Sequence, residues 1–245
     1  MLSFDLLCLK ATKERGEQMK GKLIVLEGTD CSGKETQSNL LVEELNRNGF
    51  KTAKYAFPNY NSPTGKIIAG PYLGKKGFEP AVFPEGASNV DPYCASLLFA
   101  MDRKYNIKDV NNLLNSGINV VLDRYIDSNM AHHGAKLDKK ERDDFYNFIE
   151  TLEYQLLKLP KPDLEIFLHM PIWASKILKS KRAEIPDQHE KDEKYLVKSE
   201  EAYYEIINRH NVKIIECTHS NNIKDINEIN KELCNIVFKY LNDKP

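Results

Sequence analysis

The stretch Lys22-Leu-Ile-Val-Leu-Glu27 is followed directly by Gly28-Thr-Asp-Cys-Ser-Gly-Lys-Glu-Thr-Gln37, and these two segments decide the fold. Consecutive aliphatic residues are typical of a strand that is buried on both faces of a parallel sheet. Gly28 and Gly33 allow backbone conformations that a Cβ would penalise, so successive N–H groups can turn inward around an anion. A helix that starts near Gly33 adds the positive end of its dipole. The pattern predicts a strand that runs into a phosphate-binding loop, with an ordinary strand, turn and helix as the alternative.

The loop departs from the usual pattern at one position. That pattern is Gly-x-x-x-x-Gly-Lys followed by Ser or Thr, and Glu35 stands where a magnesium-binding hydroxyl is expected. Backbone N–H groups do most of the binding, and Lys34 adds a mobile charge for the β and γ phosphates. We therefore expect the loop to bind ATP. The residues predicted to contact it are Gly28, Cys31, Ser32, Gly33, Lys34, Glu35 and Thr36.

Bulk composition narrows the class of protein. The 245 residues are 41% hydrophobic and 29% charged, which is ordinary for a globular protein with a substantial core. The net charge of −1 offers no electrostatic footprint for a nucleic acid. No apolar run approaches the roughly 18 to 20 residues of a membrane helix. Five cysteines show no paired or metal-type spacing, which indicates a reducing cytoplasm.

The first 18 residues are predicted to be an extension outside the domain. They lack the basic start and apolar stretch of a secretory signal. Met19-Lys-Gly-Lys22 leads directly into the first strand, so Met19 is expected to be the natural start. A native N-terminus that precedes Met19 would contradict this expectation.

Strand-like apolar runs alternate with helical patterns along the rest of the chain, which predicts an α/β fold: a five-stranded parallel sheet flanked by helices in three layers, as in P-loop NTPases. Residues 19–245 are expected to form a single domain. The predicted strands are 22–27, 51–57, 118–123, 164–169 and 212–217. The predicted helices are 33–48, 91–116, 138–159, 191–209 and 223–242, and residues 74–90 are expected to form a loop.

The segment 175–193 is dense in charges of both signs. It is either a solvated helix and turn or a mobile lid over phosphates. As a lid it would offer Lys179, Lys181 and Arg182 to the transferring phosphoryl group, with Arg182 favoured because its planar fork matches phosphate oxygens. Asp187 and Glu190 would then steady the lid or a water molecule on the metal.

A second segment, Ile118-Asn-Val-Val-Leu-Asp-Arg-Tyr125, ends a predicted strand in a carboxylate. This places Asp123 at the carboxyl edge of the sheet beside the loop, where it can hold Mg²⁺. Arg124 offers a bidentate fork for a second phosphate. The alternative is an Asp-Arg pair that merely caps a strand. A phosphate loop and this pair together still suit a kinase, a GTPase or a motor ATPase.

Two further motifs distinguish among these classes. They are Phe57-Pro-Asn-Tyr60 after the second strand and Leu97-Leu-Phe-Ala-Met-Asp-Arg103 on the long helix. With them the chain resembles the thymidylate kinase family of nucleoside monophosphate kinases, from Met19 to the C-terminus. Asp123-Arg-Tyr-Ile-Asp-Ser-Asn129 and Pro162-Asp-Leu164 add to the resemblance. It implies phosphorylation of dTMP to dTDP with ATP and Mg²⁺, and a homodimer.

The resemblance also implies roles for single residues. Phe99 would stack on the pyrimidine ring, and Arg103, on the same helical face, would donate to the thymine O4. Without the resemblance, Phe99 reads as a core aromatic residue and Arg103 as a surface charge. Asp123, Lys34, Arg124 and Arg182 would serve the transfer itself. The remaining acceptor contacts would come from Asp30 near the sugar 3′-hydroxyl, Phe57, Tyr60, Arg124 on the phosphate, Ser128 and Asn129 near the base, and His132.

Two positions depart from the family pattern. Many relatives read Phe-Pro-x-Arg, with the arginine on the acceptor phosphate, and Tyr60 stands at that place here. His132 stands where relatives commonly place Tyr or Phe against the sugar 2′ position, and His133 follows it. Both histidines have a surface location as the alternative. A kinase for another pyrimidine (deoxy)nucleotide and a non-catalytic nucleotide-binding module are therefore the competing functions.

Overall fold

The computed structural model describes residues 20–180 and 193–243. Five parallel strands form a central sheet in the order β2-β3-β1-β4-β5. They are β1 (Leu23–Gly28), β2 (Thr52–Ala56), β3 (Asn119–Asp123), β4 (Leu164–His169) and β5 (Lys213–Glu216). All five predicted strands are confirmed, with ends that differ by one residue at most.

Helices cover both faces of the sheet. They are α1 (Lys34–Arg47), α2 (Pro63–Ile67), α3 (Pro92–Asn115), α4 (Ile126–Gly134), α5 (Lys139–Glu150), α6 (Ile172–Ser180), α7 (Glu193–His210) and α8 (Ile226–Asn242). Alternate residues of β1 face opposite layers. Leu23 and Val25 pack with α3, α4, α5 and α7, whereas Ile24 and Leu26 pack with α1, α6 and α8. The predicted three-layer α/β fold is confirmed.

Several local features were not predicted. The helix expected over 138–159 continues past α5 as a π-helical turn, Thr151–Leu156, and ends there. A second π-helical turn, Ile68–Tyr72, follows α2 and contains Pro71, so its sequence resembles a loop. An antiparallel hairpin, β6 (Thr218–His219) and β7 (Asn222–Ile223), has strands too short to leave a periodic pattern.

Residues 74–90 form the predicted loop between the π-helical turn Ile68–Tyr72 and α3, and a half-buried lysine anchors it. Lys136 Nζ donates to the carbonyl oxygens of Ala87 (2.7 Å) and Val90 (3.0 Å) and to the Tyr72 hydroxyl (3.1 Å). Burial lowers the pKa of Lys136 to about 8. The contacts tie the far end of the loop to the residues just after α4.

Some predictions concern residues outside the described ranges. The predicted N-terminal extension lies outside them, and so do the predicted lid residues Lys181, Arg182, Asp187 and Glu190. Of the predicted lid, 175–193, residues 175–180 belong to the helix Ile172–Ser180. Within residues 20–180 and 193–243, no helix is both long enough and apolar enough to cross a membrane.

Candidate active site

A cleft of about 370 Å³ lies at the carboxyl edge of the sheet, beside the loop that follows β1. Strands β1, β2 and β3 end there, so residues from distant parts of the sequence meet. The structure brings together every acceptor residue predicted from the sequence: Asp30, Phe57, Tyr60, Phe99, Arg103, Arg124, Ser128, Asn129 and His132. Glu35 and Asp123 line the same cleft.

The loop after β1 has the geometry of a phosphate cradle. A Cβ on Gly28 would lie 2.5 Å from the carbonyl oxygen of Leu168 and 2.7 Å from Ser32 Oγ, so only glycine fits. Gly33 precedes α1 with φ +80°, and Cys31 also has a positive φ of 61°. These left-handed conformations turn the backbone around the loop centre. The exposed Thr36 lies in the first turn of α1.

Lys34 is folded across the base of this loop. Its Nζ donates to the carbonyl oxygens of Thr29 (2.8 Å) and Gly28 (2.9 Å) and to Ser32 Oγ (3.3 Å). Burial, and then the nearby positive charge of Arg124, lower the pKa of Lys34 to about 8. A phosphate at the loop would favour the charged form of the amine and offer oxygens in place of the carbonyls.

Arg124 lies at the centre of the part of the cleft that is expected to hold the acceptor phosphate, which is called the acceptor end here. Its backbone has a φ of 67°, and its Nη2 donates to Asp30 Oδ1 at 2.8 Å. Nη1 faces Ser128 Oγ (3.1 Å) and His132 Nε2 (3.2 Å). Burial opposes the ionisation of Asp30, but the electrostatic interactions with His132 and Arg124 hold its pKa well below the usual range. Asp30 is therefore a carboxylate that fixes the guanidinium.

Glu27, at the end of β1, holds this turn in place and was not predicted. Its Oε1 accepts from the backbone N–H groups of Tyr125 (2.7 Å) and Ser128 (3.1 Å), and Oε2 accepts from Ser128 Oγ (2.6 Å). Burial and the charge of Asp127 raise the pKa of Glu27. The sequence could have indicated a role for Glu27, because Glu27 is a carboxylate at the end of a predicted strand, as Asp123 is.

Arg103 is buried at the end of the cleft where the nucleobase is expected to bind, which is called the base end here. The alternative that Arg103 is a surface charge is therefore wrong. Only 2% of the residue is exposed, and Nη2 donates to Glu153 Oε1 at 2.6 Å while Nε donates to Oε2. Asn129 Nδ2 donates to the same Oε1 at 2.7 Å. Asn129 Oδ1 is buried and has no hydrogen-bond partner in the described part of the chain. Glu153 carries no sequence signal of this role, since it lies within a predicted helix.

Phe99 and the two histidines form one wall. The half-buried Phe99 ring lies 5.1 Å from the His133 ring and 5.7 Å from the Tyr72 ring, centre to centre. His133 is 1% exposed, so its predicted surface alternative is wrong. His132 is half-buried and stacks on Tyr195, whose hydroxyl donates to the His132 carbonyl oxygen at 2.8 Å. Residues of α7 thereby contact the acceptor end.

Asp102 positions the segment after β2, and it too was not predicted. Its carboxylate accepts from the Asn59 backbone N–H (2.9 Å) and from Thr64 Oγ1 (2.6 Å), and the residue is buried. This holds Tyr60 at the rim of the cleft.

Two carboxylates, Asp123 and Glu35, line the cleft beside the phosphate loop. Carboxylate oxygens are the hard ligands that Mg²⁺ prefers, and the ion commonly takes one or two of them together with substrate phosphates. The residues present therefore fit the predicted magnesium ion. Glu35 lines the same cleft as Asp123, so its carboxylate can also contribute to binding Mg²⁺.

Comparison with known proteins gives a consistent result. The family model described as thymidylate kinase matches residues 26–229. The thymidylate kinase of Homo sapiens is 34% identical over 154 residues, which are 62% of this chain and 63% of the human protein. That of Plasmodium falciparum is 30% identical over 88% of this chain and 94% of its own length. The solved structure of thymidylate kinase from Candida albicans superposes with a TM-score of 0.70 at 28% identity, over 92% of this chain and 94% of that one.

Proposed function

The chain belongs to the thymidylate kinase family, and we propose that it transfers the γ-phosphoryl group of ATP to dTMP, giving ADP and dTDP. The observation that supports the proposal is one cleft, in which Asp30 and Glu35 of the phosphate-loop segment lie together with the other residues expected to bind the acceptor. An ATPase subunit or a regulatory module has no reason to assemble residues for a phosphoryl acceptor beside its phosphate loop.

On the donor side, the loop N–H groups and Lys34 would bind the β and γ phosphates. Asp123 and Glu35 would hold Mg²⁺, which when bound neutralises charge on the phosphate oxygens. The acceptor phosphate is already an anionic nucleophile, so no general base is required. Alignment and charge neutralisation are then the contributions of the protein.

On the acceptor side, a hydrogen-bond acceptor and a hydrogen-bond donor at the base end match the polar edge of thymine. Asn129 Oδ1 is an acceptor without a partner in the described structure, and it suits the N3–H donor of thymine. Arg103 Nη1 has a long hydrogen bond of 3.4 Å to the Tyr125 carbonyl oxygen, and it suits the O4 acceptor of thymine. Cytosine offers the opposite groups at both positions, so it would leave a buried acceptor and a buried donor unsatisfied.

A panel of acceptors tests this proposal through ADP release. We expect turnover with dTMP, and at least about a hundredfold lower kcat/KM with dCMP because of the two mismatched hydrogen bonds. A higher kcat/KM with thymidine than with dTMP would indicate a deoxynucleoside kinase. ADP release that no nucleotide stimulates would indicate an ATPase module, and either result would contradict the proposal.

We further propose that the protein acts as a homodimer that pairs through α3. Leu97, Met101 and Tyr105 recur every fourth residue on this helix and are 47%, 39% and 60% exposed. Such a stripe can pack against its own copy about a two-fold axis. The same helix carries Phe99 and Arg103, so pairing would stiffen the base end of the cleft.

Met101→Asp should convert the dimer to a monomer in sedimentation velocity experiments, because the interface would have to bury a charge. Ile226→Asp is the matched control, since Ile226 is 52% exposed on α8 in the opposite layer. A wild-type protein that sediments as a monomer, or a Met101→Asp variant that still dimerises, would refute the α3 interface.

We also propose a cytoplasmic location. Cys94, Cys217 and Cys234 are in no disulfide within the described residues, which supports a reducing compartment.

A further inference from the structure

The charge of a bound acceptor phosphate has to be balanced by cations of the cleft. A monophosphate ester carries about two negative charges near neutral pH. Arg124 already has its charge matched by Asp30 at 2.8 Å, and Arg103 is paired with Glu153. These two arginines therefore position the phosphate but add little net charge, and part of the balance falls to other cations, of which Lys34 and Lys179 also act on Asp30. A dianion taken out of water needs a compensating charge nearby.

Tyr60 does not supply this charge, because its phenol is neutral. Its ring instead supports a lysine. The Nζ atom of Lys75 lies 4.8 Å from the centre of the Tyr60 ring, within the range of a cation–π interaction. Lys75 and Tyr60 both line the cleft. A cation held on an aromatic face loses less freedom when it binds an anion than one on a free stem.

The backbone around Lys75 is held at a defined place. The Lys75 N–H donates to the Ala69 carbonyl oxygen and the Gly74 N–H to that of Gly70, both at 2.8 Å. The far end of the loop is held by Lys136, as described above. The next residue, Lys76, is exposed and does not line the cleft, whereas Lys75 is half-buried.

The other lysine of the cleft, Lys54, is directed to the donor side. Its Nζ donates to Asn39 Oδ1 at 2.8 Å and lies 3.4 Å from the carbonyl oxygen of Glu35, both on α1. Of the two lysines that line the described part of the cleft, Lys75 is the one beside the acceptor residue Tyr60.

We propose that Lys75, carried on the Tyr60 ring, binds the acceptor phosphate and supplies the charge that Tyr60 lacks. The inference rests on the proposed function, because it assigns a role toward the monophosphate acceptor. It makes the loop 74–90 part of the substrate site rather than a connection between helices.

Binding of dTMP and of thymidine, measured by calorimetry, tests this assignment. Lys75→Met should weaken dTMP binding by about ten- to a hundredfold, the usual effect of one charge-assisted contact. Thymidine affinity should not change, because thymidine has no phosphate. Lys76→Met is the matched control and should bind both ligands as the wild type does. The double variant Tyr60→Arg with Lys75→Met should recover most of the dTMP affinity.

Three results would overturn the assignment. One is dTMP affinity that Lys75→Met leaves unchanged, and another is an equal loss for dTMP and thymidine, which would show a structural role. The third is a loss in Tyr60→Phe as large as that in Lys75→Met, which would assign the contact to the phenol hydroxyl. Failure of the proposed function looks different, because the wild type itself would then bind no dTMP.

Discussion

Replacing Lys34 by methionine should lower kcat for ADP formation by about a thousandfold while dTMP affinity stays within about twofold. Lys34 is the buried cation at the base of the phosphate loop, with Nζ 2.8 Å from the Thr29 carbonyl oxygen. Its charge would meet the γ-phosphoryl group as negative charge spreads in the transition state, where the interaction is strongest. The acceptor site is built from other residues, so its affinity should be preserved. Coupled ADP release and calorimetry with dTMP measure the two effects separately.

The control for Lys34 is Lys51→Met, which alters an exposed lysine just before β2. It should leave both kcat and affinity at wild-type values. A Lys34→Met variant with turnover within about tenfold of the wild type would show that the loop is not the triphosphate site. Thermal unfolding of the variant in the presence of dTMP shows whether the acceptor half remains folded.

The Arg103→Ala variant should lose about 3–5 kcal/mol of its free energy of unfolding, as well as affinity for dTMP. The Glu153 side chain is fully buried, and removal of its partner leaves an uncompensated carboxylate. Among the described residues, only Asn129 Nδ2 would then still donate to the Glu153 carboxylate. Loss of dTMP binding in this single variant is therefore ambiguous, since a destabilised cleft and a lost contact have the same effect.

A double variant, Arg103→Met with Glu153→Leu, resolves the ambiguity. Replacement of a buried ion pair by apolar groups of similar size is often neutral for stability. We expect recovery of most of the unfolding free energy in urea, with dTMP affinity still reduced by about a hundredfold. Arg47→Ala is the control, because Arg47 pairs with Glu44 on the surface, and such pairs contribute about 0–1 kcal/mol. A double variant that binds dTMP normally would remove Arg103 from the base pocket.

Residues defined by short-range patterns were predicted well. The strands are continuous apolar runs because helices cover both faces of the sheet, and this leaves a strong local signal. The phosphate loop is equally local, since Gly28 and Gly33 are required by backbone geometry within one turn. Asp123 and Arg124 were found because they end a strand at the carboxyl edge of the sheet, whereas the other acceptor residues were found through the resemblance of ordered motifs to a known family.

The partners of those residues were not predictable in the same way. Arg103 meets Glu153 across 50 residues and Arg124 meets Asp30 across 94. An arginine on a helix has many acidic candidates in a chain with 36 of them. Burial decided between the surface and site alternatives for Arg103 and His133, and burial depends on which helices pack together.

The sequence by itself determined the parallel sheet and the phosphate loop after β1, because both follow from local backbone requirements, and its motifs identified the predicted acceptor residues of the cleft through their resemblance to a known family. Only the tertiary structure decided how these residues are charged and held. Glu27 and Asp102 anchor the two segments that carry Arg124 and Tyr60, and Lys75 comes to lie over Tyr60. Those contacts depend on the distances between packed elements, which no stretch of the sequence specifies alone.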